Sequence, residues 1–225
     1  MNIIYLDNSA TTPIKSEVLQ EMMPYLTTEY GNASSLYSVG RSAKRAIEKA
    51  RNRVAELLNC NHNEIYFTGG GSESDNIALK GFAYANKEKG NHIITSKIEH
   101  PAILETCKTL ERQGFEVSYI NVNEDGIIDV EELRKSIKTN TILISVMTAN
   151  NEVGTVQPIE EIAKIAHDNN IVFHTDAVQA IGNVQIDVEK MRIDMLSLSS
   201  HKINGPKGVG ALYIKNGIEV EKFIN

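Results

Sequence analysis

The sequence predicts an α/β protein built on a mostly parallel central sheet flanked by helices. Three observations carry that reading. Seven apolar runs of strand length recur between residues 64 and 214, stretches with helical periodicity separate most of them, and glycines or polar residues gather directly after several of the runs. In open sheets of this kind ligand chemistry sits at the carboxyl ends of the strands.

The elements follow in order. Residues 1–60 read as an arm and a helix leading into the sheet, and "SAKRAIEKARNRVAELL" at 42–58 places Ala43, Ala46, Ile47, Ala50, Val54, Leu57 and Leu58 on one face. That 3.6-residue period is an amphipathic helix. The strand candidates are then "EIYFT", "HIITS", "VSYINV", "TILISVM", "IVFHTD", "MLSLSS" and "GALYI", with helix-like stretches beginning near Ser72, Pro101, Val130 and Ile159. There is no internal repeat, low-complexity tract or long linker, so residues 61–225 read as one domain.

Composition restricts the partners. With 225 residues, 41% of them hydrophobic, the chain is long enough to bury a core. A net charge of −6 and a pI near 5.6 supply no basic stripe, which argues against nucleic acid or an anionic membrane as ligand. No stretch reaches the length of a membrane span, and "MNIIYLDNSATTP" lacks the basic and apolar regions of an export signal, so the cytoplasm is the expected compartment. The only cysteines, Cys60 and Cys107, form neither a disulfide framework nor a CxxC pair.

Three constellations stand at strand ends. In "IYFTGGGSESDNIALKG" a strand runs into Gly69, Gly70 and Gly71 before a helix that opens with Ser72, an arrangement that cradles an anion on backbone N–H groups. It misses the dinucleotide fingerprint because Ser74 stands in place of the third glycine, and the plainer alternative is a glycine turn with Ser72 as helix cap. In "IVFHTDAVQAIG" an apolar strand delivers His174, Asp176 and Gln179 to its carboxyl end. There Asp176 either caps the next helix or faces a heteroaromatic nitrogen cation. In "SLSSHKINGPKGVGALYI" Lys202 follows Ser199 and His201 and precedes a glycine-rich turn, which suits either a surface lysine or a held, reactive amine.

One ligand uses all three. Pyridoxal phosphate needs a lysine, an acid for its ring nitrogen and a phosphate cradle. A nicotinamide dinucleotide leaves Lys202 and Asp176 idle. A metal held by His100, His174, Asp176 and His201 leaves the glycines idle and has no close ligand pair beyond His174 and Asp176, so no metal is expected.

The motifs "YLDNSATTP", "GNASSLYSVGR", "FTGGGSESDNIALKG", "EHPAILETC", "ANNEVGTVQPI", "HTDAVQAIG" and "SLSSHKINGPKGVGALY" resemble, in order, the N-terminal half of the cysteine desulfurases of the NifS/IscS type. These are class V aminotransferase-related enzymes of pyridoxal-phosphate fold type I. The resemblance implies a pyridoxal-phosphate-binding large domain over 61–225. It also implies that Lys202 is the Schiff-base lysine and proton shuttle, and that Asp176 partners the ring nitrogen. Gln179 and Asn151 would lie near the phenolic oxygen, with Asn151 also near the substrate carboxylate. His100 would stack on the ring and act as acid or base, while Gly71, Ser72, Ser199 and His201 would hold the phosphate. The implied substrate is L-cysteine and the products are L-alanine and an enzyme-bound persulfide. The sulfur would pass to acceptor or scaffold proteins for iron–sulfur assembly or tRNA thiolation, from a homodimeric enzyme.

Three departures from the family pattern stand out. Ala33 and Tyr37 occupy positions where the family usually has proline and histidine, changes that affect loop packing rather than chemistry. The resemblance also leads to the expectation that the small C-terminal domain is absent, and with it the nucleophilic cysteine and an arginine for the substrate carboxylate. Neither cysteine here is expected to replace it: Cys107 has apolar neighbours at helical spacing, and Cys60 is an exposed residue remote in sequence from the cradle. Alternatives within and outside catalysis are a selenocysteine lyase or class V aminotransferase, and a non-catalytic scaffold.

Overall fold

The computed structural model describes residues 4–223. Helices α1 (Ser16–Thr27) and α2 (Ser38–Leu58) come first. There follow β1 (Ile65–Thr68), α3 (Gly71–Asn76), a π-helical turn over Ile77–Gly81 and α4 (Phe82–Ala85). The remainder alternates as β2 (His92–Ser96), α5 (Pro101–Glu111), β3 (Glu116–Ile120), α6 (Val130–Ser136), β4 (Thr141–Ser145), α7 (Ile159–Asp168), β5 (Val172–Asp176), β6 (Met195–Ser199) and β7 (Gly210–Ile214). Each of the seven apolar runs is a strand.

The strands form one sheet in the order β1-β7-β6-β5-β4-β2-β3, and only β7 runs antiparallel to its neighbours. The chain moves outward from β2 to β3, then returns to lay β4 beside β2 and continues through β5 and β6. This reversal leaves a crevice beyond the carboxyl ends of β2 and β4, the place where open parallel sheets receive ligands.

Both faces of the sheet are covered, and the side-chain alternation shows how. Ile93, Leu143, Met195 and Leu212 pack with Leu79, Phe82, Ile103 and Leu110 of the α3–α5 layer. Their neighbours Ile94, Ile144, Leu196 and Tyr213 pack with Leu133, Ile162 and Ile165 of the α6–α7 layer. A strand buried on both sides reads as an unbroken apolar run, which is why these segments show no apolar–polar alternation. Each large side chain withdrawn from water contributes about 1.5–3 kcal/mol before chain entropy is set against it.

The predicted helix over 42–58 forms but buries only part of its stripe. Ala43, Ala55 and Leu58 are buried, whereas Ile47 is 40% and Leu57 55% exposed. The middle of the stripe, with Ala46, Ile47 and Ala50, lines a groove of about 860 Å³ between α1 and α2.

Close backbone approach fixes β7. A Cβ added at Gly210 would lie 2.6 Å from the carbonyl carbon of Gly70 and 2.7 Å from Leu198 O. Because both obstacles are backbone, Gly210→Ala is expected to cost about 1–3 kcal/mol in urea unfolding. Unchanged stability would contradict this packing.

Candidate functional site

The glycine turn after β1 leads directly into α3. Gly69 N–H donates to Glu73 Oε2 at 2.6 Å, and the Thr68 and Ser74 hydroxyls lie 2.8 Å apart, tying the turn to the helix start. The N-cap is Gly70, with no side-chain cap, so Ser72 is not the cap of the alternative reading but the second residue of the helix. The first amides of a helix lack internal acceptors and stay available to an anion. Gly71 lets this helix start pack against the chain after β5, since a Cβ there would meet Val178 Cγ2 at 2.6 Å.

β5 ends in Asp176, which is 5% exposed. Its Oδ1 accepts the Val178 N–H at 2.9 Å, so the capping role and a ligand-facing role coexist. Among the described residues no donor reaches its second oxygen. Burial raises the Asp176 pKa, while Val178 N–H, His100 and Lys202 pull it down. His174 departs from its expected place at the carboxyl end. It lies within β5, fully buried, with Nδ1 2.9 Å from Ser145 Oγ and Nε2 3.1 Å from Ser197 Oγ. Burial holds its imidazole down at about 3, which makes it a neutral core histidine.

Lys202 closes a short 3₁₀ turn after β6 and is gripped from above by the N-terminal arm. Its Nζ donates to the carbonyls of Ser9 and Ala10, the latter at 3.0 Å. The arm is in turn tied to the lysine turn. Thr12 N–H and Oγ1 both donate to His201 O at 2.9 and 2.8 Å, and Asn204 N–H donates to Thr12 Oγ1 at 2.8 Å. Gln179 Nε2 adds a bond to Ser9 O at 2.7 Å. Burial lowers the Lys202 pKa against the opposing pull of Asp176 and Asp7. A lowered amine pKa raises the fraction of unprotonated, nucleophilic amine.

Nine of the residues singled out from sequence line one cavity of about 520 Å³: Gly71, Ser72, His100, Asn151, Asp176, Gln179, Ser199, His201 and Lys202; Gly69, Gly70 and His174 do not. His100 caps α5 with Nδ1 accepting the Ala102 N–H at 3.1 Å, which leaves Nε2 for proton exchange. His201 Nδ1 lies 3.1 Å from Thr11 Oγ1, and burial, Lys202 and Lys207 hold its pKa low. The residues fit pyridoxal phosphate: an amine, a buried carboxylate with a free oxygen and a side-chain-free helix start converge on one space. Sequence reasoning missed the Ser9 and Ala10 carbonyls and the buried acids Asp75 and Glu99. Glu99 accepts from Ser96 Oγ and Met147 N–H, and burial pushes it to about 8.

Neither cysteine lines this cavity. Cys107 is buried in the α3–α5 layer, and Cys60, expected to be exposed, is half-buried; burial pushes their thiols up to about 12 and about 11. Iodoacetamide at pH 8 is therefore expected to label Cys60 about a hundredfold more slowly than an unhindered cysteine, and Cys107 only on unfolding. Rapid labelling of either, followed by mass spectrometry, would contradict these environments.

The family described as Aminotransferase class-V matches residues 4–222. A cysteine desulfurase IscS of Methanosarcina thermophila is 57% identical over 222 residues, covering 99% of this chain and 55% of the relative. One from Clostridium botulinum (strain Kyoto / Type A2) is 59% identical, covering 99% and 56%. The chain thus spans about half the length of the curated relatives it matches. Among solved structures, a NifS-like protein superposes with a TM-score of 0.96 at 42% identity, covering 99% of this chain and 62% of that one. SspA in complex with cysteine gives a TM-score of 0.96 at 43% identity, covering 99% and 65%.

Proposed function

The chain belongs to the class-V aminotransferase family, and from that premise we propose that it is the cofactor-holding part of a pyridoxal-phosphate-dependent cysteine desulfurase. The observation that carries this reading is the convergence of Lys202, Asp176 and the Gly71–Ser72 helix start on one cavity. Bound pyridoxal phosphate supplies an aldehyde that condenses with amines and a ring that withdraws electrons from the substrate bond being broken.

The protein's own groups supply the rest. The Gly71 and Ser72 amides, with Ser199 and His201, would take the phosphate. Asp176 would present its unpartnered oxygen to the protonated ring nitrogen, each stabilising the other's charge. Lys202 would be the amine that holds the cofactor, and to serve so it would give up the Ser9 and Ala10 carbonyls and lose a proton at Nζ, a loss its lowered pKa eases. The same Nζ would be placed to move a proton at the substrate carbon, with His100 Nε2 as a second proton carrier. Asn151 and Gln179 would orient the ring oxygen and the substrate carboxylate. The substrate is L-cysteine. Since neither cysteine lines the cavity, the thiol that accepts its sulfur comes from outside residues 1–225, and the sulfur then passes to acceptor or scaffold proteins of iron–sulfur assembly or tRNA thiolation.

We also infer a cytoplasmic homodimer. Leu19, Met23, Tyr25 and Leu26 of α1 are exposed beside the α1–α2 groove, an apolar surface suited to a second copy. No helix among the described residues is long and apolar enough to cross a membrane.

Added pyridoxal phosphate is expected to give this chain a visible absorption band that survives removal of excess ligand and is missing in Lys202→Ala. Asp176→Asn is expected to weaken cofactor affinity about tenfold or more, the loss of one charge-assisted contact. A band retained in Lys202→Ala, or unchanged affinity in Asp176→Asn, would contradict these roles.

A further inference from the structure

One buried carboxyl at the site, Asp75, has no part in the chemistry proposed above. It lies in α3, 1% exposed, lines the same cavity as Asp176, and its Oδ1 has no hydrogen-bond partner. The nearest basic atom, His174 Nε2, is 3.9 Å away, beyond hydrogen-bond reach, and both nitrogens of that ring already face the hydroxyls of Ser145 and Ser197.

An ionised Asp75 would be a dry charge with a second carboxylate, that of Asp176, lining the same cavity. Two such carboxyls hold one proton between them, and the donors around each decide where it rests. Asp176 has the Val178 N–H at 2.9 Å and the positive charge of Lys202 to stabilise its anion. Asp75 Oδ1 has no donor. Burial first, then the charge of Asp176, push Asp75 well above the ordinary carboxyl range, against a smaller downward pull from the Ser197 hydroxyl. Ionising His174 to pair with it does not resolve the cost, because a buried pair at 3.9 Å without a direct hydrogen bond does not repay the water both groups lose.

We propose that Asp75 is a positioning residue held as a neutral carboxylic acid, so that the proton of the pair stays off Asp176 and Asp176 alone offers negative charge to a ring nitrogen. The purpose rests on the pyridoxal-phosphate reading; the protonation state does not. The other titratable groups around it are Glu99 before α5, whose charge presses the same way, His100 beside Glu99, His201 and Lys202 after β6, and Glu73 on its own helix. Of the elements packed on α3, β1 and β7 carry only Tyr66 and Tyr213 as titratable groups, and α5 carries Glu105, Cys107, Lys108 and Glu111.

The test is denaturant unfolding of this chain without cofactor from pH 5 to 8, beside Asp75→Asn, Asp176→Asn and the double variant. An acid neutral in the fold and ionised when unfolded gives the native state the extra proton, so its contribution to stability falls as pH rises from the ordinary carboxyl range to the raised folded value. Asparagine lacks this dependence, and Glu99 cancels because it is common to both proteins. The folding equilibrium constant of Asp75→Asn relative to the parent is expected to rise by up to about tenfold per pH unit in that window. The rise should be smaller in the Asp176→Asn background. A flat or falling ratio overturns the proposal. A rise unaccompanied by a protonated-carboxyl infrared band that is lost in Asp75→Asn overturns it too, because the extra proton would then sit on His174, 3.9 Å from Asp75. Asp75→Ser supplies the same comparison if asparagine prevents folding. A visible-absorption titration of the parent with pyridoxal phosphate separates the two ideas: no uptake overturns the cofactor reading and the purpose assigned to Asp75, while the pH comparison together with the infrared band decides its neutral state.

Discussion

The antiparallel return of β7 between β6 and β1 is the constraint on which the site depends. Gly210 lets β7 pass against Gly70, so the strand that leaves the lysine turn also braces the glycine turn. The turn itself is closed by Ser200 N–H to Val209 O at 3.0 Å and Gly205 N–H to Ser200 O at 2.9 Å. Amine and helix start are thereby held by one continuous piece of backbone rather than by two independent loops. Rigid elements of this kind hold a site more closely than free loops do.

Burial then sets the charges. Asp75, Glu99 and Asp176 are all withdrawn from water around one crevice, and each is raised by burial. What distinguishes them is the donor set. Glu99 takes Ser96 Oγ and Met147 N–H, Asp176 takes one backbone amide and keeps an oxygen for the cavity, and Asp75 Oδ1 takes nothing. The same logic explains Lys202, whose ammonium is satisfied by arm carbonyls that must be given up before the amine can react. Resting order and reactive geometry therefore compete at Nζ.

Much of this was legible in the residues. Strands buried on both faces show as apolar runs, and the glycines, Asp176 and Lys202 each stand one step beyond a run, where a parallel sheet gathers its ligand groups. The arm was not legible as part of the site, because backbone carbonyls of Ser9 and Ala10 carry no side-chain signature and act on a lysine more than 190 residues away in sequence. His174 misled because the strand extends two residues past it, placing its ring within the sheet layer among serines. Asp75 carries no signal of its own in the sequence, since one-dimensional position does not reveal that its helix lies pressed against β6 and β7. The α2 stripe was correctly periodic, yet periodicity tells which face is apolar, not which molecule covers it.

Borohydride reduction of the chain loaded with pyridoxal phosphate, followed by peptide mass mapping, tests the central claim most directly because it marks the amine that has condensed with the cofactor. The account predicts a pyridoxyl mass on the peptide containing Lys202 and on no other lysine at stoichiometric yield. A label on Lys207, or one spread over surface lysines, would contradict it.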